Sequence, residues 1–112
     1  DEEYLEIDTE KNESGQKVLI KLFTLKKYED VNEILNTLRE GYSIAIIDIR
    51  ELRKKDLIEL KRAIAKIKKT TEALEGVISG FGENVVIVAP TFAKIEKEEL
   101  PSEAPKKRPE YY

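Results

Sequence analysis

Nine basic side chains crowd the stretch from residue 50 to residue 69: Arg50, Arg53, Lys54, Lys55, Lys61, Arg62, Lys66, Lys68 and Lys69. Glu51, Asp56 and Glu59 offset them, so nine minus three leaves a local surplus of six positive charges on a chain of net charge −3. The chemistry such a stretch can do is ionic recognition of an acidic partner. The same lysines also suit the C-terminal half of a helix, where they complement its dipole. Lys61 and Arg62 flank the apolar positions Leu60 and Ile64. Their stems can therefore cover apolar surface while their charges stand at a groove rim.

Covalent and acid–base chemistry has little to work with. The chain contains no cysteine and no histidine, which removes disulfides, thiolate nucleophiles, imidazole catalysis and most zinc or iron sites. Asp48 lies in an apolar run without a second patterned carboxylate, so it lacks the makings of an oxygen cage. It reads instead as an acceptor for backbone amides at a strand end, or as the partner of a helix residue. Ser79-Gly80-Phe81-Gly82 has the look of a phosphate loop, but it leads into a strand and not into a helix N-terminus. The expectation is a protein with no catalytic residues, no metal site and no cofactor, working by binding.

The elements that must hold these residues follow from the spacing of apolar positions. The chain has 112 residues, 40% of them apolar, which suits one domain with one modest core. No run approaches the roughly 20 apolar residues of a membrane span. Lys and Glu dominate the charged residues, and Trp, Met and Cys are absent, a composition like that of hyperthermophile proteins. Residues 1–16 carry seven acids against Lys11 and read as an acidic flexible segment, with an edge strand through Tyr4, Leu5 and Ile7 as the other reading. Residues 97–112, with Pro101, Pro105 and Pro109, read as a second flexible tail. The core domain is expected over 17–96. The opening Asp1 is unlike a natural start, which suggests that a preceding segment has been trimmed.

Within the core, Lys17 to Leu25 reads as a strand from its β-branched and aromatic content. Tyr28 to Glu40 has apolar residues every three or four positions and a glycine stop at Gly41, the pattern of a helix. Tyr42 to Ile49 reads as a second strand. Asp56 to Leu74 reads as the long helix, capped by Asp56 with Glu59 three residues on and ended by Gly76. Val77 to Phe81 and Val85 to Ala89 form a hairpin across Gly82-Glu83-Asn84. Phe92 and Ile95 could add a short last strand. The fold class is α/β (α+β): a two-layer β-α-β-α-β-β sandwich with two helices on one face of a mixed sheet. The strands are apolar on both sides, yet two helices cover only one face. A second copy of the chain is the simplest cover for the other, so a homodimer is expected, with Val86 and Val88 at its interface.

Several features from Val18 to Ile95 resemble the core domain of the SepF cell-division family. Tyr28-Glu29-Asp30 opens the first helix. Lys61-Arg62 lies on the second, Ala73-Leu74-Glu75-Gly76 ends it, and Gly82 precedes a strand that stops at Pro90. The resemblance implies a cytoplasmic adaptor at the division site on the inner membrane face. Such an adaptor binds the C-terminal peptide of the tubulin-like GTPase FtsZ and reaches the membrane through an N-terminal amphipathic helix that this chain lacks. It also places Lys61 and Arg62 on the peptide, with Phe81 near a groove at the dimer edge. Lys66 and Lys69 depart from the bacterial pattern of an aromatic and a glycine, and look more like the archaeal branch. Two other readings share the fold order: a small-molecule-sensing domain, and a nucleic-acid binder of the Alba type. A sequence pI near 5.2 and the acidic first segment weigh against nucleic acid.

Overall fold

The computed structural model describes residues 17–98. The expectations for residues 1–16 and 99–112 lie outside the described residues. Four strands form one mixed sheet: β1 (Leu19–Thr24), β2 (Ser43–Asp48), β3 (Val77–Phe81) and β4 (Val85–Ala89). Their spatial order is β1-β2-β4-β3. β1 runs parallel to β2, with Ile20 opposite Ile44 and Leu22 opposite Ile46. β4 is antiparallel to both β2 and β3. The hairpin forms with the expected bounds. Phe92 and Ile95 lie in irregular chain, not in a strand.

Three α-helices pack on one face: α1 (Val31–Glu40), α2 (Arg50–Lys55) and α3 (Leu57–Ala73). The first expected helix starts as a single 3-10 turn at Tyr28–Asp30. Asp30 makes this turn tight, because its Oδ2 accepts from the amides of Lys26 and Lys27 at 2.8 and 3.1 Å. α1 ends where Gly41 adopts φ 85°, a conformation open to glycine at little cost, and its amide donates to Leu38 O. α3 begins as the sequence suggests, with the Asp56 carboxylate accepting from the Glu59 amide at 3.0 Å. The reciprocal half of that capping box is replaced, since the Glu59 carboxylate turns to Arg62.

α2 occupies the stretch between the second expected strand and the long helix, where the sequence reading places no element. Leu52 is its one buried residue and joins the core. Arg53 ties the helix to the β3–β4 turn, donating to Asn84 Oδ1 and standing 3.6 Å from Glu83. Asp48 takes both roles expected of it. Its Oδ1 accepts from the Arg50 amide at 2.9 Å and its Oδ2 lies 3.4 Å from Arg50 Nη2.

The core sits between the helices and one face of the sheet. Val31, Ile34, Leu35 and Leu38 of α1 and Leu60, Ala63 and Ile67 of α3 meet Ala45, Ile47, Val86 and Val88. This corrects the expected interface. Val86 and Val88 are 8% and 1% exposed and lie under the helices. Side chains alternate along a strand, so the opposite set faces outward: Ile20, Leu22, Ile44, Ile46, Val85 and Ile87.

Candidate recognition surface

α2 and α3 carry the basic residues, and their geometry divides them into two groups. Arg50, Arg53 and Arg62 are engaged with Asp48, Glu83 and Glu59. Lys55 Nζ donates to the Lys26 carbonyl at 3.1 Å, which braces α2 against the chain after β1. Lys54, Lys61, Lys66, Lys68 and Lys69 are exposed and have no ion-pair partner among the described residues. The charge surplus is thus a solvent-facing field of lysines and not an internal network.

Arg62 has a defined seat. Its Nη1 donates to both Glu59 oxygens at 3.1 and 2.9 Å. Its guanidinium lies 4.3 Å from the centroid of the Tyr28 ring, within range of a favourable cation–π contact. A shallow depression beside it is lined by Tyr28, Arg62, Ala65, Lys66 and Lys69. Positions 62, 65, 66 and 69 share one helix strip. Lys61 stands about 100° round the helix from Arg62 and borders the other flank, near the half-exposed Leu57. The two residues share the outer side of α3 but face different edges of it.

Phe81 lies elsewhere. It ends β3, is 61% exposed and sits on the open sheet face, so it is not a core residue. With Ile87 and Ile95 it lines a groove between the sheet and the chain beyond Pro90. Lys97 Nζ, donating to Gly80 O at 3.0 Å, closes that groove. Within one protomer, the structure does not bring Phe81 together with Lys61 and Arg62. Tyr28 is the member of the surface that residue-by-residue reading misses. Its pairing with Arg62 spans 34 positions (62 minus 28) and leaves no local signal.

The open face has its own composition. Ile20 and Leu22 are 63% and 62% exposed on β1. Ile44, Ile46, Val85 and Ile87 are half-buried beside them. The chain beyond Pro90 covers only the β3–β4 side. No group of three or more metal-ligating side chains occurs among the described residues, nor does a helix long and apolar enough to cross a membrane.

A basic helical face on one side and an uncovered apolar sheet on the other make this a binding module of two layers. Comparison with known proteins agrees. The family model described as cell division protein SepF matches residues 20–95, and the chain belongs to that family. Among solved structures it is similar to the SepF-like protein from Archaeoglobus fulgidus, at 29% identity and TM-score 0.67, covering 76% of this chain and 100% of that one. The SepF-like protein from Pyrococcus furiosus shares the fold at 22% identity and TM-score 0.65, covering 74% and 99%. So does the cell division protein SepF from Methanobrevibacter smithii in complex with FtsZ-CTD, at 23% identity and TM-score 0.62, covering 70% and 98%. No curated protein matches in sequence.

Proposed function

We propose that this chain is a division-site adaptor: a homodimer that binds the C-terminal tail of FtsZ on the cytoplasmic side of the membrane. Membership of the SepF family carries the cell-division role. The FtsZ reading is supported by the likeness to a SepF solved with FtsZ-CTD, and by a basic helix whose lysines are left without partners among the described residues.

In this reading two copies meet through the open sheet face. Ile20, Leu22, Ile44 and Ile46 form its uncovered half. Burying such a face against its own copy satisfies both subunits at once, and two-fold pairing is the commonest closed symmetry. The α3 helices then point away from the interface. Each dimer presents two basic surfaces, and a polymer offers many tails. Weak single contacts are thereby reinforced by effective concentration.

Recognition is of the acidic-peptide kind. Lys61 and Arg62 supply charge at the rim, and the stems of Lys66 and Lys69 with Ala65 and Tyr28 supply apolar contact. Phe81 stays a candidate where the dimer edge brings the open face of one subunit toward the other. Each charge-assisted contact contributes about 1.5–3 kcal/mol when well formed and less at an exposed rim. The double change Lys61→Glu with Arg62→Glu is expected to weaken binding of an FtsZ C-terminal peptide by at least about tenfold. Calorimetry reads the affinity, and a melting curve shows that the variant remains folded. Unchanged affinity in a folded dimer would remove this surface from the proposal.

A further inference from the structure

Charge is unevenly divided along the chain. Residues 17–98 carry sixteen Lys and Arg against thirteen Asp and Glu, a net charge of +3. Residues 50–69 alone hold the surplus of six, so the remainder of that part is net −3. Residues 99–112 have three acids and three bases. The overall −3 is therefore set by residues 1–16, whose seven acids against Lys11 give −6. These residues lie outside the described part and are characterised by sequence alone. Tyr4, Leu5 and Ile7 stand between their acids. An acidic segment with apolar residues among its charges is the ligand chemistry proposed above for α3, so the chain carries a ligand-like sequence of its own.

Three surfaces are open to such a segment, and charge separates them. The groove between the edge strand β1 and α1 is lined by Asp30 and Glu33, with Lys21 the one base beside them, so acids meet like charge there. The open sheet face presents Ile20, Leu22, Ile44 and Ile46 and offers no countercharge. The outer side of α3 offers Lys61, Lys66, Lys68 and Lys69, all exposed and without an ion-pair partner among the described residues. Position favours the same choice. The chain enters β1 where the Leu19 amide donates to Tyr42 O at 3.0 Å. α3 closes at that end of the molecule, since Gly41 and Ser43 line one depression with Thr71 and Leu74. Lys66, Lys68 and Lys69 lie in the second half of α3, on this side. Eight extended residues, Thr9 to Gln16, span up to about 26 Å, against a helix layer about 10–12 Å thick. A tether of that length gives an effective concentration of the order of millimolar.

We propose that residues 1–13 fold back onto the lysine face of their own α3 and hold it in competition with acidic peptides. Their carboxylates pair with Lys66, Lys68 and Lys69, and an apolar residue among them rests on Ala65 and the Tyr28 ring in the shallow depression. The contact is ionic and exposed, so it is weak, reversible and sensitive to salt. An isolated acidic tail competes poorly with a tethered segment, whereas a polymer presenting many tails displaces it. The segment thus sets the surface to answer polymer and not free subunits. This regulatory role rests on the adaptor reading, but the contact itself does not.

The chain has no cysteine, so Thr9→Cys takes a single nitroxide spin label. Amide NMR of the full chain is expected to show selective broadening at Lys66, Lys68 and Lys69 relative to the reduced label. The broadening should fade as salt rises from about 0.1 to about 1 M and the Debye length shrinks from about 10 to about 3 Å. The six changes Glu2→Gln, Glu3→Gln, Glu6→Gln, Asp8→Asn, Glu10→Gln and Glu13→Gln are expected to abolish it. They are also expected to tighten binding of hexaglutamate, a probe that does not presuppose FtsZ, by at least about threefold. Broadening centred on β1 or on the open sheet face would overturn the proposal, as would no selective broadening at all. Broadening of an unlabelled chain by a labelled partner subunit in a mixed sample would assign the contact to a second copy and overturn it too. Equal hexaglutamate affinity with and without the six changes would overturn the competition. Broadening at α3 with an FtsZ peptide that binds neither form would support the contact while removing the adaptor reading, so the two fail separately.

Discussion

The two faces of the sheet are made of the same residues and meet different fates. Ala45, Ile47, Val86 and Val88 lie under helices and are buried. Ile44, Ile46, Val85 and Ile87 alternate with them on the same two strands and are only half-buried. Hydropathy does not distinguish the sets, for isoleucine and valine occur in both. The difference lies in the connections, which lead α1 and α3 to one side. Whether an apolar strand residue is buried under helices or left on the open face therefore depends on its parity, and parity is a property of the whole topology.

Charge substitutions can break this comparison, starting where the effect is largest. Val88→Asp places a carboxylate in the core without a partner, and a loss of about 4 kcal/mol or more is expected. Urea denaturation reads it, and a variant as stable as the parent would show that the two faces have been exchanged. Leu22→Asp puts the same group on the open face. The chain is expected to remain folded, with light scattering falling from about twice to once the 12.9 kDa chain mass. A parent that is monomeric at micromolar concentration would already defeat the dimer, whatever the variant did.

The smallest effect concerns neither face and serves as their control. Glu75 follows α3 with φ 62°, the only non-glycine positive φ among the described residues. Helices commonly end this way on glycine, which adopts the conformation without a Cβ penalty. Glu75→Gly is expected to raise stability by up to about 1 kcal/mol with no change in mass or in peptide binding. A lower melting temperature would mean that the Glu75 side chain makes a compensating contact.

Much of the fold was legible because local rules agreed with one another. Asp56 ahead of an apolar stripe announces α3, and the hairpin is bracketed by a glycine-containing turn and by Pro90. α2 was not legible, since a six-residue helix with one buried leucine has no period to detect. Its anchors, Arg53 on Asn84 and the Ile49 amide on the Asn84 carbonyl at 2.9 Å, are tertiary. The outward-facing set of strand residues was hidden for a related reason. Period-two alternation identifies two faces, but strands apolar on both carry no mark of which one the helices take. At the candidate site, charge density pointed to residues 50–69 as a whole, and the family resemblance to Lys61 and Arg62 within them. Neither could reveal that Arg62 is spoken for by Glu59 and Tyr28, or that Phe81 belongs to another layer.

The seating of Arg62 bears on how binding energy would be divided. A free lysine or arginine loses much of its rotamer freedom when it clasps a ligand, at about 2 kcal/mol for the whole side chain. Arg62 has surrendered a large share of that freedom already, held between the Glu59 carboxylate and the Tyr28 ring. Lys61 has no such restraint among the described residues. An acidic ligand would thus meet a rigid contact and a loose one side by side. The rigid one sets geometry and favours a ligand of matching shape, whereas the loose one adapts and contributes attraction at longer range.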